Sequence, residues 1–201
     1  MADRPELHDP RVLRAFAHPV RNRILTELEA HGPLRAADVA QLLGIPANSA
    51  SFHLRQLAKF GLVEEDPTAA RDRRDRVWRA TDEAGFDVSL GEIEKTPGGR
   101  AASKAFRQTK EAWAHRLVEE AYGDDRTEGT HRSITEQAVL LTKAEARELT
   151  EELVDVIDAW RTRNQDGDPG GSGGSDDSDG ERRTYHVFQI IQPFPDQPLE
   201  P

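Results

Sequence analysis

Apolar residues recur at every third or fourth position through residues 9–61, and this period predicts four short amphipathic helices. Their apolar faces are formed, helix by helix, by Val12, Leu13 and Phe16, by Val20, Ile24, Leu25 and Leu28, by Val39, Leu42 and Leu43, and by Leu54, Leu57 and Phe60. Asp9 can cap the first helix, and Pro19 opens the second. Gly32-Pro33 ends the second helix, because neither residue readily continues one.

The third and fourth helices are separated by a tight turn. Ala40 lies four residues before Gly44, so a small side chain permits the helices to cross closely while glycine tolerates the backbone of the turn. Pro46 starts the fourth helix, and Gly61 can adopt the left-handed conformation that ends it. A short helix, a tight turn and a second helix together predict a helix-turn-helix unit.

Two strand-like stretches follow, "LVEEDP" and "DRVWRAT", on either side of the loop "TAARDRR". The loop contains Arg71, Arg73 and Arg74, and Arg76 follows at its base. A β-hairpin with a basic tip, placed directly after a helix-turn-helix unit, predicts a winged helix-turn-helix DNA-binding domain over residues 9–84.

Beyond this domain the pattern alternates between helices and strands. Helical spacing of apolar residues predicts long helices over residues 98–123 and 143–163. Strand-like patterns are predicted over residues 85–93, 133–142 and 182–195.

These elements define the expected organisation of the chain. Residues 85–163 form an extension for dimerisation and candidate effector binding. Residues 164–181 are acidic and rich in glycine and serine, which predicts a disordered linker. Residues 182–195 form a C-terminal strand that joins the extension, either in its own subunit or across a dimer. The predicted fold is α+β and mainly helical, with an N-terminal winged helix-turn-helix followed by a strand-and-helix dimerisation extension.

The composition limits the chemistry available. The chain has 201 residues and no cysteine, which excludes disulfides, thiolate metal sites and cysteine nucleophiles. It lacks both a run of about 18 apolar residues and the apolar stretch of a signal peptide, so we expect a cytoplasmic protein with no membrane partner. The seven histidines lie far apart, and no phosphate-cradling glycine loop precedes a helix. We therefore expect neither an enzyme nor a bound cofactor.

The net charge of −10 resides in the second part of the chain. Residues 1–84 contain 13 Lys and Arg against 13 Asp and Glu, whereas residues 85–201 contain 14 against 24. Within Pro46–Gly61 the only formal charges are Arg55 and Lys59. A locally basic face can therefore bind DNA, while the acidic remainder suppresses non-specific binding to phosphate.

Polar side chains on the fourth helix are the candidates for reading base edges, because asparagine pairs with adenine, arginine with guanine and serine with several bases. The candidates on its first turns are Asn48, Ser49, Ser51, His53 and Arg55. Gln56 and Lys59 lie further along and are expected to meet phosphate. His53 has two interpretations, in which it either contacts phosphate and orients the helix or packs partly buried against the wing strands. Any one of the set could instead be a solvated helix residue. The four wing arginines are expected to reach phosphates or the minor groove, partly neutralised by Asp72 and Asp75.

Residues 9–84 resemble the arsenic-repressor (ArsR) family of bacterial winged-helix regulators. The most specific part is the pattern "SxHLxxL…GLV", formed by Ser51, His53, Leu54, Leu57, Gly61, Leu62 and Val63. The resemblance implies a homodimer whose two fourth helices enter successive major grooves of a palindromic operator, and repression that a ligand relieves. The family's cysteine metal site does not carry over, because Arg35 and Ala37 occupy its positions. The acidic C-terminal helix also has no histidine for the family's other metal site.

A small organic effector is the expected signal for a regulator without cysteine. Trp113, Trp160 and Tyr185 are the candidates to line an apolar pocket for it. The alternative is that these aromatic residues belong to a dimer interface and a small core.

Two other functions stay open alongside a DNA-binding repressor. One is a winged-helix module that binds protein instead of DNA. The other is a regulator that responds to a hard metal through histidine and carboxylate ligands, such as His115 with Glu119 one turn later. The expected partners are double-stranded operator DNA and a second copy of the chain.

Overall fold

The structure is a computed structural model that describes residues 9–70, 76–81, 89–124, 127–165 and 182–194. Those ranges contain seven helices and three short strands. In chain order they are α1 (Pro10–Phe16), α2 (Pro19–His31), β1 (Leu34–Arg35), α3 (Ala36–Leu43), α4 (Ala47–Lys59), β2 (Val63–Glu65), β3 (Val77–Ala80), α5 (Leu90–Glu94), α6 (Gly99–Tyr122) and α7 (Lys143–Gln165). The predicted mainly helical α+β fold with an N-terminal winged helix-turn-helix is confirmed.

The four predicted helices at the N-terminal end pack into one core. The Asp9 carboxylate caps α1 by accepting a hydrogen bond of 2.8 Å from the Arg11 backbone N–H, as its position predicted. The buried apolar residues of this core come from α1 to α4, from the sheet and from the turn before it: Val12, Ala15, Ile24, Leu25, Leu28, Val39, Ala40, Ala50, Leu54, Leu57, Leu62, Val63 and Trp78. The prediction that Leu42 points inward is wrong. It is 42% exposed, because Val39 and Leu43 already occupy the core side of the same helix.

Two glycines have the backbone conformation that the helix-turn-helix requires. Gly44 ends α3 at φ +64°, and Gly61 follows α4 at φ +67°. The Ile45 backbone N–H donates to the Ala40 carbonyl over 3.0 Å, which closes the turn against the end of α3. An L-residue with a side chain is strained at such φ values, so both turns favour glycine.

The wing is a three-stranded antiparallel sheet in the order β1-β3-β2. The two predicted strands are β2 and β3, with Val63 opposite Ala80. The third strand, β1, was not predicted, since two residues are too few to show an alternating pattern; Leu34 pairs with Trp78. Residues 71–75, which include three of the four predicted wing arginines, lie outside the described residues.

The extension begins with α5 and α6, which pack on α1. Leu13 is buried together with Ile93 and Ala102 in a second apolar cluster. The predicted strand over residues 85–93 is wrong at its C-terminal end, because Ile93 enters this cluster from the short helix α5; residues 82–88 lie outside the described residues. A Cβ atom on Gly99 would lie 1.8 Å from the Ile93 carbonyl oxygen, so only glycine permits this approach of the two helices.

Among the described residues after Ser103, no side chain of the extension is buried. Both long helices are confirmed, as α6 and α7, yet none of the side chains of α7 is buried. The predicted strands over 133–142 and 182–195 form no strand within the described part of the chain, which ends at residue 194.

Candidate nucleic-acid interface

Helix α4 has one buried side and one exposed side. Ala50, His53, Leu54 and Leu57 are buried against the core. The side chains on the opposite side are exposed, and they are Asn48, Phe52, Arg55 and Lys59. Their spacing of four, three and four residues follows the 3.6-residue turn, so they form one line along the helix, which we call the exposed stripe.

Three of the seven residues predicted on α4 lie in the exposed stripe, and three others flank it. Ser49, Ser51 and Gln56 are half-buried on its two sides. The Asn48 side-chain oxygen accepts a 2.9 Å hydrogen bond from the Ser49 backbone N–H, and the Arg55 Nε donates to the Ser51 carbonyl over 3.1 Å. These local contacts orient the amide and the guanidinium at the surface of the helix.

His53 lies apart from the other candidates, on the buried side of α4. It is 9% exposed, and its ring centre is 4.8 Å from that of His18, which precedes α2. His53 therefore packs against the start of α2. One of its two interpretations was packing against the wing strands. Desolvation by burial lowers the pKa of His53, and the charges of His18 and Arg21 lower it further. Desolvation by burial also lowers the pKa of His18, and the charge of Arg21 lowers it further.

Phe52 was missed when the sequence was read for polar candidates. It lies between Asn48 and Arg55 in the exposed stripe, with half of its area accessible to solvent. The signal that could have found it is the helical spacing, because residue 52 is one turn from Asn48 and one turn from Arg55.

The described part of the wing has paired charges. Arg76 is 3.6 Å from Glu65, and Arg79 donates to Glu64 over 2.6 and 2.9 Å. All four side chains are exposed, so each pair contributes little to stability. The pairs nonetheless reduce the net positive charge that β2 and β3 present. Arg71, Arg73 and Arg74 lie outside the described residues.

Each of the three effector candidates makes its own contacts among the described residues. Trp113 is half-buried and meets the edge of His186 at 6.0 Å between ring centres, and its indole N–H has no partner among the described residues. The Tyr185 hydroxyl accepts a 3.0 Å hydrogen bond from the His131 backbone N–H. Trp160 is exposed beneath the Arg163 guanidinium, 4.5 Å from its ring centre, and no ring contact joins it to either of the other candidates in the described chain.

Within the described ranges, the alternative metal site has no third ligand. His115 and Glu119 are both exposed on α6. Among the described residues, no three histidine, cysteine or carboxylate side chains lie close enough to hold one ion. None of the helices within the described ranges has the length and apolar character needed to cross a membrane.

The C-terminal segment, residues 182–194, is attached to α2 through a buried carboxylate. Glu27 is 1% exposed, and its oxygens accept from Arg23 at 2.6 Å and from the Thr184 hydroxyl at 2.7 Å. His31 is 3.3 Å from the same carboxylate. The end of the extension is thus tied to the helix that packs under α3 and α4.

The chain is similar to known helix-turn-helix proteins. A family model described as a helix-turn-helix domain matches residues 16–66, and no curated protein matches the chain. A transcriptional regulator from Thermotoga maritima is 16% identical at a TM-score of 0.29, over 78% of this chain and 85% of that chain. A mutant of MarR from E. coli complexed with operator DNA is 16% identical at a TM-score of 0.31, over 74% and 84%. A protein from Mycobacterium tuberculosis is 19% identical at a TM-score of 0.29, over 74% and 85%.

Because these TM-scores are low, the solved structures carry no argument about function. The functional assignment therefore rests on the fold and on the helix-turn-helix match. The matched residues extend from the end of α1 to just after β2 and include the whole of α4. Together with the winged-helix fold, the match supports a DNA-binding transcription regulator and favours it over an enzyme. The arsenic-repressor family is not named by these comparisons, so that narrower assignment stays a prediction.

Proposed function

We propose that the chain is a sequence-specific transcription regulator, a homodimeric repressor that reads a palindromic operator with α4. The observation that carries the proposal is the exposed stripe of α4, which is held outward by the buried side of the same helix. Asn48 and Arg55 offer the donors and acceptors that discriminate adenine and guanine, and Lys59 offers a charge for phosphate.

The exposed stripe has the dimensions of a major-groove reader. Asn48 and Lys59 are eleven residues apart, which is about 16 Å of helix at ~1.5 Å per residue. That length corresponds to about five base pairs at ~3.4 Å each. Ser49, Ser51 and Gln56 flank the stripe and supply further hydrogen-bonding groups on both sides of it.

The extension supports the homodimer part of the proposal. Among the described residues there are sixteen exposed large apolar side chains, and ten of them lie in two segments, residues 131–142 and 182–194. Neither segment forms a backbone ladder with the described chain, although both have the apolar content of strands. Ten exposed side chains offer an area on the order of the ~800 Å² per partner that a stable interface buries. We propose that a second copy covers them and that their strands pair across the two-fold axis.

A small organic effector is proposed to act at Trp113. Its unpartnered indole N–H lies beside the His186 ring and offers a hydrogen-bond donor, and the Arg116 guanidinium lies 5.8 Å from the ring centre of the same indole. The test is a thermal-shift screen of small molecules on the full chain, repeated with Trp113→Phe, which removes the N–H and keeps an aromatic ring at this position. The expected result is a stabilising compound whose effect is lost in Trp113→Phe; a response that is equal in both proteins overturns this site.

Selection of bound fragments from genomic DNA, followed by salt-titrated gel shifts, tests the DNA-binding function. We expect a palindromic motif with half-sites about 10 base pairs apart, or a multiple of that spacing, and log K falling linearly with log salt. A winged-helix module that binds protein would enrich no motif and show no salt slope. That result would overturn the proposal in favour of the protein-interaction alternative.

A further inference from the structure

Phe52 is an apolar residue at the centre of a polar surface. It has Asn48 one turn before it and Arg55 one turn after it, and half of its area is exposed. The core lies on the other side of α4, where Leu54 and Leu57 are fully buried. The Phe52 ring meets that of His53 edge-on, at 5.3 Å between ring centres, and its exposed half forgoes the stabilisation that burial would give.

A protein partner fits this position poorly. Within residues 9–70 and 76–81, the only other exposed large apolar residue is Leu42, on α3. Two such residues do not make the contiguous apolar patch, on the order of several hundred Å², that marks a protein-interaction surface. The neighbours of Phe52 in the exposed stripe are hydrogen-bonding and charged groups, which suit base edges and phosphates.

The major groove of DNA contains one apolar group, the 5-methyl group of thymine, and phenylalanine is among the side chains that contact it. We propose that Phe52 packs on a thymine methyl group and makes the operator preference of α4 depend on thymine. This inference rests on the proposed function and adds one specific contact to it. Phe52 is about 6 Å along the helix from Asn48 and about 4.5 Å from Arg55, at ~1.5 Å per residue. The thymine is therefore expected within about two base pairs of the bases that these two residues read.

Removing one thymine methyl group at a time from the DNA tests this contact directly. In the operator found by fragment selection, each thymine is replaced in turn by deoxyuridine, which removes only the methyl group. We expect one position per half-site at which the replacement weakens binding of the full chain by about three- to fivefold, the effect of one buried methyl group. The other thymine positions should change binding by less than about twofold.

Phe52→Ala completes a double-mutant cycle with the modified DNA. This variant should bind the thymine and deoxyuridine operators equally, while Phe52→Leu keeps part of the difference. The matched control is Leu42→Ala, which removes the other exposed apolar side chain and should retain the full deoxyuridine effect. Because Phe52 is exposed, the melting temperature of the Phe52→Ala protein should match that of the parent.

The outcomes separate this inference from the proposed function. Specific operator binding with no sensitive thymine overturns the contact and leaves the function standing. A deoxyuridine effect that persists in Phe52→Ala overturns it as well, because another residue then contacts the methyl group. A Phe52→Ala protein that binds operator normally but changes its oligomeric state overturns it in favour of a protein contact. Absence of any specific binding overturns the proposed function itself.

Discussion

The winged-helix domain and the extension differ in how completely each buries its own apolar residues. Among the described residues up to Thr81, Leu42 and Phe52 are the only exposed large apolar side chains. The other fourteen lie between Val118 and Phe194. In the described chain after Thr81, the buried residues are only Ile93, Gly99, Ala102 and Ser103.

This difference teaches that the two regions are stabilised in different ways. The described part of the winged-helix domain buries nearly all of its large apolar residues within one chain. Helix α7 has 23 residues and no buried side chain, and burial of an apolar face is what stabilises most helices in proteins. We therefore expect the extension to depend on assembly and the winged-helix domain to depend on its own core.

The largest expected effect is on the core beneath α4. Leu54→Ala should lower the free energy of unfolding by about 2–5 kcal/mol, because the fully buried side chain leaves a cavity. Denaturant unfolding followed by circular dichroism measures it, at two protein concentrations. The exposed neighbour is the control: Arg55→Ala should stay within about 0.5 kcal/mol of the parent. Equal losses in both variants would contradict the assigned orientation of α4.

The next effect is on assembly through residues 182–194. Ile190→Asp should raise the dimer dissociation constant by about a hundredfold, because burying an unpaired carboxylate costs several kcal/mol. Sedimentation of a dilution series measures the constant. Gln189→Asp introduces the same charge at the adjacent polar position and should have a much smaller effect. If both variants dimerise like the parent, this segment is not the interface, and the contrast between the two regions needs another cause.

A smaller effect is expected at the DNA-reading surface. Arg55→Ala and Ser51→Ala should each weaken operator binding, Arg55→Ala by about 1–3 kcal/mol, the value of one good bidentate base contact. Competition gel shifts at fixed salt measure the loss. Arg79→Ala, which removes a wing cation already paired with Glu64, is the matched control and should weaken binding less. Binding at parental strength by both α4 variants would remove α4 from the interface.

The smallest expected effect is a pH dependence that separates the regions. The pKa of His53 and that of His18 lie below the unfolded value of 6.5, chiefly because burial disfavours the charged ring. The unfolded chain therefore takes up protons first as the pH falls, so stability is full above about pH 6.5 and is lost toward the lower folded pKa values. His186 in the extension is shifted in the same direction, first by desolvation and then by Lys110 and Arg23.

Unfolding free energies at pH 7.5 and pH 5.5 measure this loss. His53→Gln should reduce the loss for the winged-helix domain, and His186→Gln should reduce it for the extension. A loss as large in both variants as in the parent would assign the pH dependence to other groups.

The helices of the winged-helix domain could be predicted because their spacing and end residues are local properties of the sequence. Gly44 and Gly61 occur at turns that need positive φ, and glycine is the residue that takes such values at least cost. The strand β1 could not be predicted, because its two residues form a strand only through their pairing with Val77 and Trp78. This pairing is a tertiary contact, so no local pattern in the sequence indicates β1.

Within the candidate site, polarity was a weaker guide than position on the helix. His53 was grouped with the DNA-facing residues for its chemistry, yet it lies one turn after the buried Ala50 and shares its side of α4. Phe52 was passed over for the opposite reason. Exposure in residues 131–142 and 182–194 could not be predicted either, since it depends on which surfaces the rest of the chain leaves uncovered.

The Glu27 carboxylate also has a consequence for synthesis of the protein. Its hydrogen-bond donor Thr184 lies 157 residues further along the chain, so the ribosome delivers it roughly 10–30 s after Glu27 at about 5–20 residues per second. Throughout that interval, the partners of the carboxylate among the described residues are Arg23 and His31. A product that terminates prematurely within residues 164–181 never contains Thr184, so its Glu27 carboxylate permanently lacks that hydrogen bond.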